Sequence, residues 1–265
     1  MVGLKIYIIS LKKSKRRSFQ EKQFDFLGLD YEFFDAISSD NIAKDTFIKK
    51  SSDWERRIKP SELACYMSHS RLWEKIYEHD CPAVILEDDA YISNNLKKLL
   101  PIFSKLKGID LLNFENRCRK KIVSKSHIEI KDDYKILKLF HDTTGAAGYL
   151  LWPSGARKLL NFEKKAGIAL ADAQIFRCKS LKTYQIEPAI VVQLDVAENY
   201  NLNKNSYCST IMKSTVSSNE RLEGSLKFKL RRFKSQLQLA FKQIKLLVFS
   251  ERRYLKTSKK NSYLN

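Results

Sequence analysis

The chain has 265 residues and a mass of 30.9 kDa, enough for one large α/β domain or two small ones. Apolar residues make up 43% and aromatic residues 11%, with only 8 glycines and 5 prolines, so wholesale disorder and collagen-like or low-complexity architectures are excluded. The formal net charge is +19, of which +11 falls in residues 221–265, and such a charge implies an anionic partner: a nucleic acid, a membrane surface or a phosphorylated substrate.

Cysteine usage and the lack of long apolar runs favour an intracellular protein. The five cysteines are widely spaced without a CxxC pair, which is atypical of a zinc cluster or a disulfide framework. The N-terminus lacks the longer apolar region of a signal peptide, and no segment reaches the ~18 uninterrupted apolar residues of a transmembrane helix. We expect a cytoplasmic protein that can still sit on a membrane.

The first 35 residues predict a βαβ unit. An apolar, β-branched strand at residues 6–11 leads into a basic helix that ends at Gly28, and a second strand follows at residues 31–35. A strand, a helix and a strand within about 30 residues are typical of a doubly wound sheet.

The middle of the chain continues this alternation. Pro60 begins a helix that ends near Asp80, before Pro82. Strands at residues 83–86 and 109–114 follow, separated by a helix that reaches about residue 107. Residues 115–142 are charged and weakly patterned, and we expect a variable hairpin or loop of the size often found in functional lids.

The last part divides into the end of a domain, a linker and a tail. The remaining predicted elements are a strand at residues 143–152, helices at 153–160 and 169–177, and a last strand at 183–193. The segment 199–220 is rich in Asn and Ser and predicts a linker. We therefore expect a catalytic α/β domain at residues 1–198 and a basic tail at residues 221–265.

Three adjacent carboxylates, Glu87, Asp88 and Asp89, follow the strand at residues 83–86. They repel one another unless a cation lies nearby. Side chains alternate in extended chain, so Glu87 and Asp89 share one face, which suits a hard divalent cation that also takes phosphate oxygens. Ligands of open α/β sheets bind beyond the carboxyl ends of the strands. The alternative is a solvated acidic turn.

Several segments, in this order, resemble glycosyltransferase family 25, the bacterial lipopolysaccharide and lipooligosaccharide glycosyltransferases, and in particular the lipooligosaccharide β-1,4-galactosyltransferases. The resemblance covers about residues 4–195. Its segments are residues 7–11 with Arg16 and Arg17, residues 33–36, residues 62–69 with 72–74, residues 84–89, residues 144–149 with 155–156, residues 171–172 with Phe176, and residues 184–186 with Pro188 and Gln193.

The resemblance implies a GT-A-like fold, with a Rossmann-type, mostly parallel sheet flanked by helices. It implies an inverting enzyme that transfers a hexose from a UDP-sugar to a lipooligosaccharide acceptor with Mn²⁺ or Mg²⁺. UDP-galactose is the expected donor, and UDP-glucose is the alternative. Asp89 would bind the metal directly, Glu87 would be a second ligand or reach the ribose through water, and Asp88 would make a structural or ribose contact.

Inversion needs a base that takes a proton from the acceptor hydroxyl. Asp172, which matches the Val-Asp segment of the family, is the expected base, and Glu115 and Asp195 are the alternatives. His69 and Gln193 are expected to shape the site, although a helical histidine is more often a satisfied core residue.

The remaining candidates would bind the donor. Arg16 and Arg17 would contact its diphosphate or uracil, unless they are only exposed helix charges. Gly145 and Gly148 would let the backbone approach the sugar, because a missing Cβ permits close contact; tight strand packing is the alternative.

The tail combines positive charge with apolar residues at helical spacing, namely Leu226, Leu230, Phe233, Leu237, Ala240, Ile244 and Leu247. A basic amphipathic helix suits an anionic inner-membrane surface, so we expect peripheral attachment to the inner face of the bacterial inner membrane. The alternative is a helix packed on the catalytic domain. Without a helix-turn-helix, zinc or RNP-type signature, no nucleic acid is expected. A non-catalytic basic protein that binds membranes or nucleic acid remains the alternative function.

Overall fold

The computed structural model describes residues 4–142, 145–200, 226, 228–233, 236–237, 246, 248–259 and 263. The predicted linker at residues 199–220 lies outside the described residues apart from its first two positions, which end a 3₁₀ segment at Leu194–Tyr200. Most of the predicted tail helix also lies outside them.

The first half of the chain confirms the predicted βαβ opening. Its elements are β1 (Lys5–Ser10), α1 (Arg16–Leu27), β2 (Glu32–Asp35), α2 (Lys44–Lys50), α3 (Pro60–Glu78), β3 (Ala83–Glu87), β4 (Ala90–Ile92), α4 (Asn95–Phe103) and β5 (Leu111–Asn113). Gly28 ends α1 in the left-handed conformation that favours glycine, at φ 57°. At the start of α3, Pro60 occupies the first turn, and the Glu62 carboxylate accepts a hydrogen bond from the Lys59 N–H at 2.8 Å.

The second half of the chain completes the domain. Its elements are β6 (Lys121–Lys131), β7 (Tyr134–His141), β8 (Gly148–Leu151), α5 (Pro153–Ala166), α6 (Ala171–Arg177), β9 (Thr183–Glu187), β10 (Val191–Gln193) and β11 (Ser250–Arg253). Residues 115–142 contain the expected hairpin: β6 pairs antiparallel with β7, and these are the two longest strands in the described part of the chain. One expectation changes here, because the single strand expected at residues 183–193 is two strands that belong to different sheets.

Nine strands of the described chain form one sheet in the order β11-β6-β7-β9-β5-β8-β3-β1-β2, and β4 pairs with β10 in a small second sheet. Six of the nine strands run in one direction, but β8 is antiparallel between β3 and β5, and β7 and β11 are also reversed. The α/β class is confirmed, and the sheet, which was expected to be mostly parallel, is mixed. This architecture is consistent with a GT-A-like fold.

Helices cover both faces of the sheet because the strands alternate their buried side chains. Tyr7 and Ile9 of β1 pack with α3, α5 and α6, whereas Ile6 and Ile8 pack with α1 and α4. The two faces hold two separate apolar cores. The sheet edge at which β1, β2 and β3 end is thereby fixed from both sides.

The end of the predicted tail belongs to this domain, which corrects the expectation of one helical tail at residues 221–265. β11 pairs antiparallel with β6, and Leu255 is buried against β6 and β7. Arg253 donates two hydrogen bonds, at 2.5 and 2.6 Å, to the carboxylate of the buried Glu187. These residues cover a sheet edge and neutralise a buried charge, so they are held to the domain.

Earlier in the tail, the described residues among 226–237 are helical. The four apolar residues of the predicted stripe that can be described are 44–77% exposed: Leu226, Leu230, Phe233 and Leu237. Within the described residues, no helix has the length and apolar character needed to cross a membrane.

Candidate active site

An open cleft of about 540 Å³ lies at the sheet edge where β1, β2 and β3 end. Segments that follow these strands line it together with residues next to β8, α3, α6 and β10. The predicted site residues among its lining are Arg16, Glu87, Asp88, Asp89, Gly145, Asp172, Gln193 and Asp195. The cleft therefore lies where ligands of α/β sheets are expected to bind.

Asp89 is a buried carboxylate of the cleft with one unpartnered oxygen. Its Oδ1 is buried and has no hydrogen-bond partner among the described residues. Burial and the negative charge of Glu87 raise the pKa of Asp89 to about 8, although Arg16 opposes the shift; Asp88 and Asp195 add to it. Clustered carboxylate oxygens in a cleft fit a hard divalent cation such as Mn²⁺ or Mg²⁺.

Two buried glutamines of α1 hold the backbone on either side of Asp89. Gln20 donates from Nε2 to the carbonyl oxygens of Asp88 and Ala90, at 2.9 and 2.8 Å. Gln23 donates to the same Ala90 oxygen at 3.1 Å and accepts from the Ile92 N–H at 2.8 Å. Both side chains are fully buried. The turn that carries Asp89 is therefore fixed from α1, a role that no motif in the sequence indicated.

Asp88 connects the acidic segment to the loop between β1 and α1. Its Oδ2 accepts hydrogen bonds from the hydroxyls of Ser10 and Ser14, both at 2.8 Å, and its Oδ1 pairs with Arg16 Nε at 2.9 Å. Both carboxylate oxygens are thus engaged within the protein. This geometry favours the structural role among those expected for Asp88.

Arg17 lies away from the cleft lining, contrary to its expected donor contact. Its guanidinium pairs with Asp35 and donates to the Ser10 carbonyl at 3.1 Å. It also lies over the Phe33 ring, 4.6 Å from the ring centroid. Because these partners belong to β1 and β2, Arg17 connects the two strands.

Glu87 is supported by a buried hydrogen-bond chain. His69 Nε2 lies 3.0 Å from Glu87 Oε1, and His69 Nδ1 lies 2.8 Å from the Tyr149 hydroxyl. Trp73 Nε1 donates to the same hydroxyl at 2.9 Å. Although burial raises the pKa of Glu87, the hydrogen bond from His69 and nearby positive charges outweigh it and hold that pKa below its usual value. His69 is fully buried behind Glu87, and its expected site-shaping role stays a prediction.

Asp172 lies in the cleft at the start of α6. Burial raises its pKa, although hydrogen bonds from the backbone N–H groups of Ala173 and Gly145 oppose the shift. A carboxylate that holds a proton more tightly than usual is suited to general-base catalysis. The structure thus brings Asp172 into the same cleft as Glu87 and Asp89, and its role as the base stays a prediction.

Glu115 lies behind Gly145 and is not part of the cleft lining. Its carboxylate is 1% exposed, and Oε2 accepts a hydrogen bond from the Ala147 N–H at 2.9 Å. Gly148 is also not part of the cleft lining, and a Cβ there would lie 2.9 Å from Val191 Cγ2. Its small size serves the packing of β8 on β10 rather than an approach to the sugar.

Arg117 is a cleft residue that the sequence interpretation missed. It donates to Gln193 Oε1, and its Nη2 pairs with Asp195 Oδ2 at 2.5 Å. The available signal was its position four residues after Asn113, the end of β5 at the same sheet edge. Arg117 lies in the connection between β5 and β6, within the segment 115–142 that was expected to be a variable hairpin or loop.

Comparisons with known proteins agree with this geometry. The family model described as glycosyltransferase family 25 (LPS biosynthesis protein) matches residues 4–174. A Haemophilus influenzae strain Rd protein that carries a glycosyltransferase name is 31% identical over 71% of this chain and 69% of its own length. The lipooligosaccharide biosynthesis protein lic2B of Haemophilus influenzae is 29% identical over 71% of this chain and 75% of its own length. The lacto-N-neotetraose biosynthesis glycosyltransferase LgtE of Neisseria meningitidis serogroup B is 24% identical, over 85% and 87%.

The family match over residues 4–174, together with an α/β fold that has an acidic cleft at the carboxyl edge of its sheet, identifies the protein as a glycosyltransferase. The chain belongs to glycosyltransferase family 25.

Proposed function

We propose that this glycosyltransferase moves galactose from UDP-galactose to a sugar of a lipooligosaccharide acceptor, with inversion and with the aid of Mn²⁺ or Mg²⁺. The observation that carries the proposal is the unpartnered, buried Oδ1 of Asp89 in the cleft that also holds Glu87 and Asp172. The name of lic2B, a lipooligosaccharide biosynthesis protein, supports the acceptor class.

Asp89 and Glu87 would hold the cation. When bound, a divalent cation neutralises the charge that develops on a diphosphate leaving group. His69 and Cys65 contact only Oε1 of Glu87, which leaves Oε2 for a ligand. Arg117 adds a fixed positive charge to the cleft wall, suited to phosphate oxygens.

In the transfer step, the acceptor hydroxyl oxygen forms a bond to C1 of the sugar while the bond from C1 to the UDP oxygen breaks. The hydroxyl proton goes to the carboxylate of Asp172, and UDP leaves with the electron pair of the broken bond. The backbone N–H groups of Ala173 and Gly145 orient the Asp172 carboxylate. Asp195 is less suited to this role because it is already paired with Arg117.

The proposed location is the inner face of the inner membrane, where a glycolipid acceptor is anchored. The exposed apolar residues Leu226, Leu230, Phe233 and Leu237 support it, because the basic residues Lys229 and Arg232 lie in the same helical segment. Arg231 of this segment instead donates hydrogen bonds to the backbone oxygens of Ser52 and Trp54, at 2.6 and 3.0 Å. Basic residues near an anionic leaflet each contribute roughly 1 kcal/mol.

The test is UDP release from UDP-galactose and UDP-glucose, with Mn²⁺ or with a chelator, on soluble oligosaccharide acceptors. Metal-dependent turnover of UDP-galactose supports the proposal, and turnover of UDP-glucose alone changes the donor. Absence of both turnover and UDP-sugar binding would support the non-catalytic alternative.

Two variants assign the roles. Asp89→Asn is expected to abolish metal-dependent transfer of the sugar. Asp172→Asn is expected to lower kcat by about 10² or more with UDP affinity retained, and Asp195→Asn is the comparison. A larger loss in Asp195→Asn would transfer the base role to Asp195.

A further inference from the structure

Four side chains form a continuous buried chain that ends at the cleft. Trp73, Tyr149 and His69 are each at most 1% exposed, and their polar atoms are joined at 2.9, 2.8 and 3.0 Å from the indole of Trp73 to the carboxylate of Glu87. The rings of His69 and Tyr149 are stacked, with an interplanar angle of 19°. Only Glu87, the last member, lines the cleft.

The donor and acceptor roles along these hydrogen bonds follow from the number of protons that each group carries. The indole nitrogen of Trp73 can only donate, so the Tyr149 oxygen is its acceptor. The Tyr149 hydroxyl proton then needs an acceptor, and His69 Nδ1 is the one within reach among the described residues. Nδ1 must therefore carry a lone pair, and the imidazole proton lies on Nε2, where it points at Glu87. A proton on Nδ1 would instead place two N–H groups on the Tyr149 oxygen and leave the hydroxyl proton unused.

We propose that Trp73 and Tyr149 lock His69 in the tautomer protonated at Nε2, and that this lock makes His69 a permanent hydrogen-bond donor that positions Glu87. Trp73, Tyr149 and His69 are positioning residues, because none of them lines the cleft. The inference deepens the proposed function, since it rests on Glu87 as a metal-binding carboxylate.

The same lock decides which metals the site accepts. One potential ligand atom from each of Cys65, His69 and Glu87 lies within 4.8 Å of the other two, and Glu87 Oε1 is 3.0 Å from His69 Nε2 and 3.9 Å from Cys65 Sγ. A thiol, an imidazole and a carboxylate are a donor set that suits Zn²⁺ or Co²⁺. With the proton on Nε2, His69 offers no lone pair to this group. The hydrogen-bond chain therefore keeps thiophilic metals out and leaves Glu87 for a hard cation.

The first test observes the tautomer directly and needs no enzyme activity. Nitrogen-15 NMR of the four histidine side chains distinguishes a protonated from an unprotonated ring nitrogen, and loss of one signal set in His69→Gln assigns His69. The expected result is a protonated Nε2 and an unprotonated Nδ1. A proton on Nδ1 of the wild-type protein, in either a neutral or a charged ring, would overturn the proposal.

The second test removes the lock. Tyr149→Phe deletes the hydroxyl that donates to Nδ1, so His69 is free to move its proton to Nδ1 and offer Nε2 to a metal. We expect a tautomer change and new Co²⁺ binding, seen as sulfur-to-cobalt charge-transfer absorption that disappears in Tyr149→Phe/Cys65→Ser. Tyr66→Phe is the control, because it removes a buried tyrosine hydroxyl on α3 that has no hydrogen-bond partner among the described residues.

The two tests separate this inference from the proposed function. Mn²⁺ binding, measured by electron paramagnetic resonance, should weaken by about tenfold in Tyr149→Phe and stay unchanged in Tyr66→Phe. If wild-type protein binds no Mn²⁺ but shows the expected tautomer, the metal assignment fails and the lock stands. If Tyr149→Phe folds and retains the wild-type tautomer, Tyr149 does not set it and the proposal fails.

Discussion

Gly145 lies directly against the carboxylate of Glu115: a Cβ on Gly145 would be 2.3 Å from Glu115 Oε2. That oxygen also accepts the hydrogen bond from the Ala147 N–H, so it cannot withdraw without losing a buried bond. Gly145 has φ +97°, a backbone conformation that side chains with a Cβ rarely adopt. One glycine thus separates a buried acid from the cleft that holds Asp172.

Gly145→Ala is expected to lower the free energy of unfolding by about 2 kcal/mol or more, because backbone strain and the contact with Glu115 add. Chemical denaturation measures it. Gly108→Ala is the matched control, since Gly108 has φ +76° and a Cβ there would contact nothing within 4 Å. An equal decrease in the free energy of unfolding in the two variants would mean that the Glu115 side chain can move away from the new Cβ without loss of stability.

Glu115 is expected to make stability fall as the pH rises. Burial raises its pKa from 4.5 to about 8, although Lys121, Arg117 and the Ala147 N–H oppose the shift. The folded protein therefore binds the proton more tightly than the unfolded chain. The stability it contributes is fully present below about pH 4.5 and is lost as the pH rises through about 8, by at most about 1.4 kcal/mol per pH unit.

Glu115→Gln should remove this part of the pH dependence, because an amide does not titrate. Urea denaturation with a chelator present, from about pH 5 to about pH 9, compares it with the wild type. Parallel curves for the two proteins would show that Glu115 has the same pKa in the folded and unfolded states.

Gln20→Leu is expected to weaken Mn²⁺ binding about tenfold without touching the cleft, since Gln20 holds the carbonyl oxygens on either side of Asp89. Electron paramagnetic resonance gives the affinity. Gln174→Leu is the control: Gln174 is also fully buried but donates to the Gly167 carbonyl. If both variants lose the same affinity, the effect is general destabilisation.

Arg117→Ala is expected to weaken UDP binding about tenfold, because a charge-assisted hydrogen bond contributes about 1.5–3 kcal/mol. Calorimetric titration with UDP and Mn²⁺ measures it. Arg119→Ala removes an exposed arginine of the same segment and should bind UDP as the wild type does. Unchanged binding in Arg117→Ala would remove Arg117 from the donor site.

Arg253→Ala is expected to destabilise the catalytic domain by about 3 kcal/mol, since it leaves Glu187, which is 1% exposed, without its two strongest hydrogen bonds. Thermal unfolding tests this. Arg252→Ala changes the exposed neighbour on the same strand and should have little effect. If Arg253→Ala melts at the wild-type temperature, Arg253 does not stabilise the domain, and the result would favour the separate tail that was expected to begin at residue 221.

Patterns within short stretches of sequence predicted much of the fold and the centre of the site. Continuous apolar runs indicated β1 and β3, Gly28 marked the end of α1, and the acidic segment after β3 indicated the cleft. The contacts that support the cleft escaped prediction because their partners are far apart in the chain. Gln20 and Asp88 are 68 residues apart. In the sequence alone, Gln20 and Gln23 have the pattern of ordinary helix residues.

The antiparallel strand β8 limited the topology that could be predicted. An apolar four-residue strand does not reveal its direction, and its place between β3 and β5 depends on packing with both neighbours. Likewise, the charges of β6 left a hairpin and a loop both open, because most of its second half is exposed.

The order of elements along the chain places a constraint on biosynthesis. β6 is made more than a hundred residues before its partner β11, so a nascent chain carries an uncovered strand edge until residues 250–253 emerge from the ribosome. A chain cut short before that point keeps the edge open, and uncovered edges pair readily with other polypeptides. Nonsense mutations late in the gene should therefore produce aggregated protein rather than a shortened enzyme.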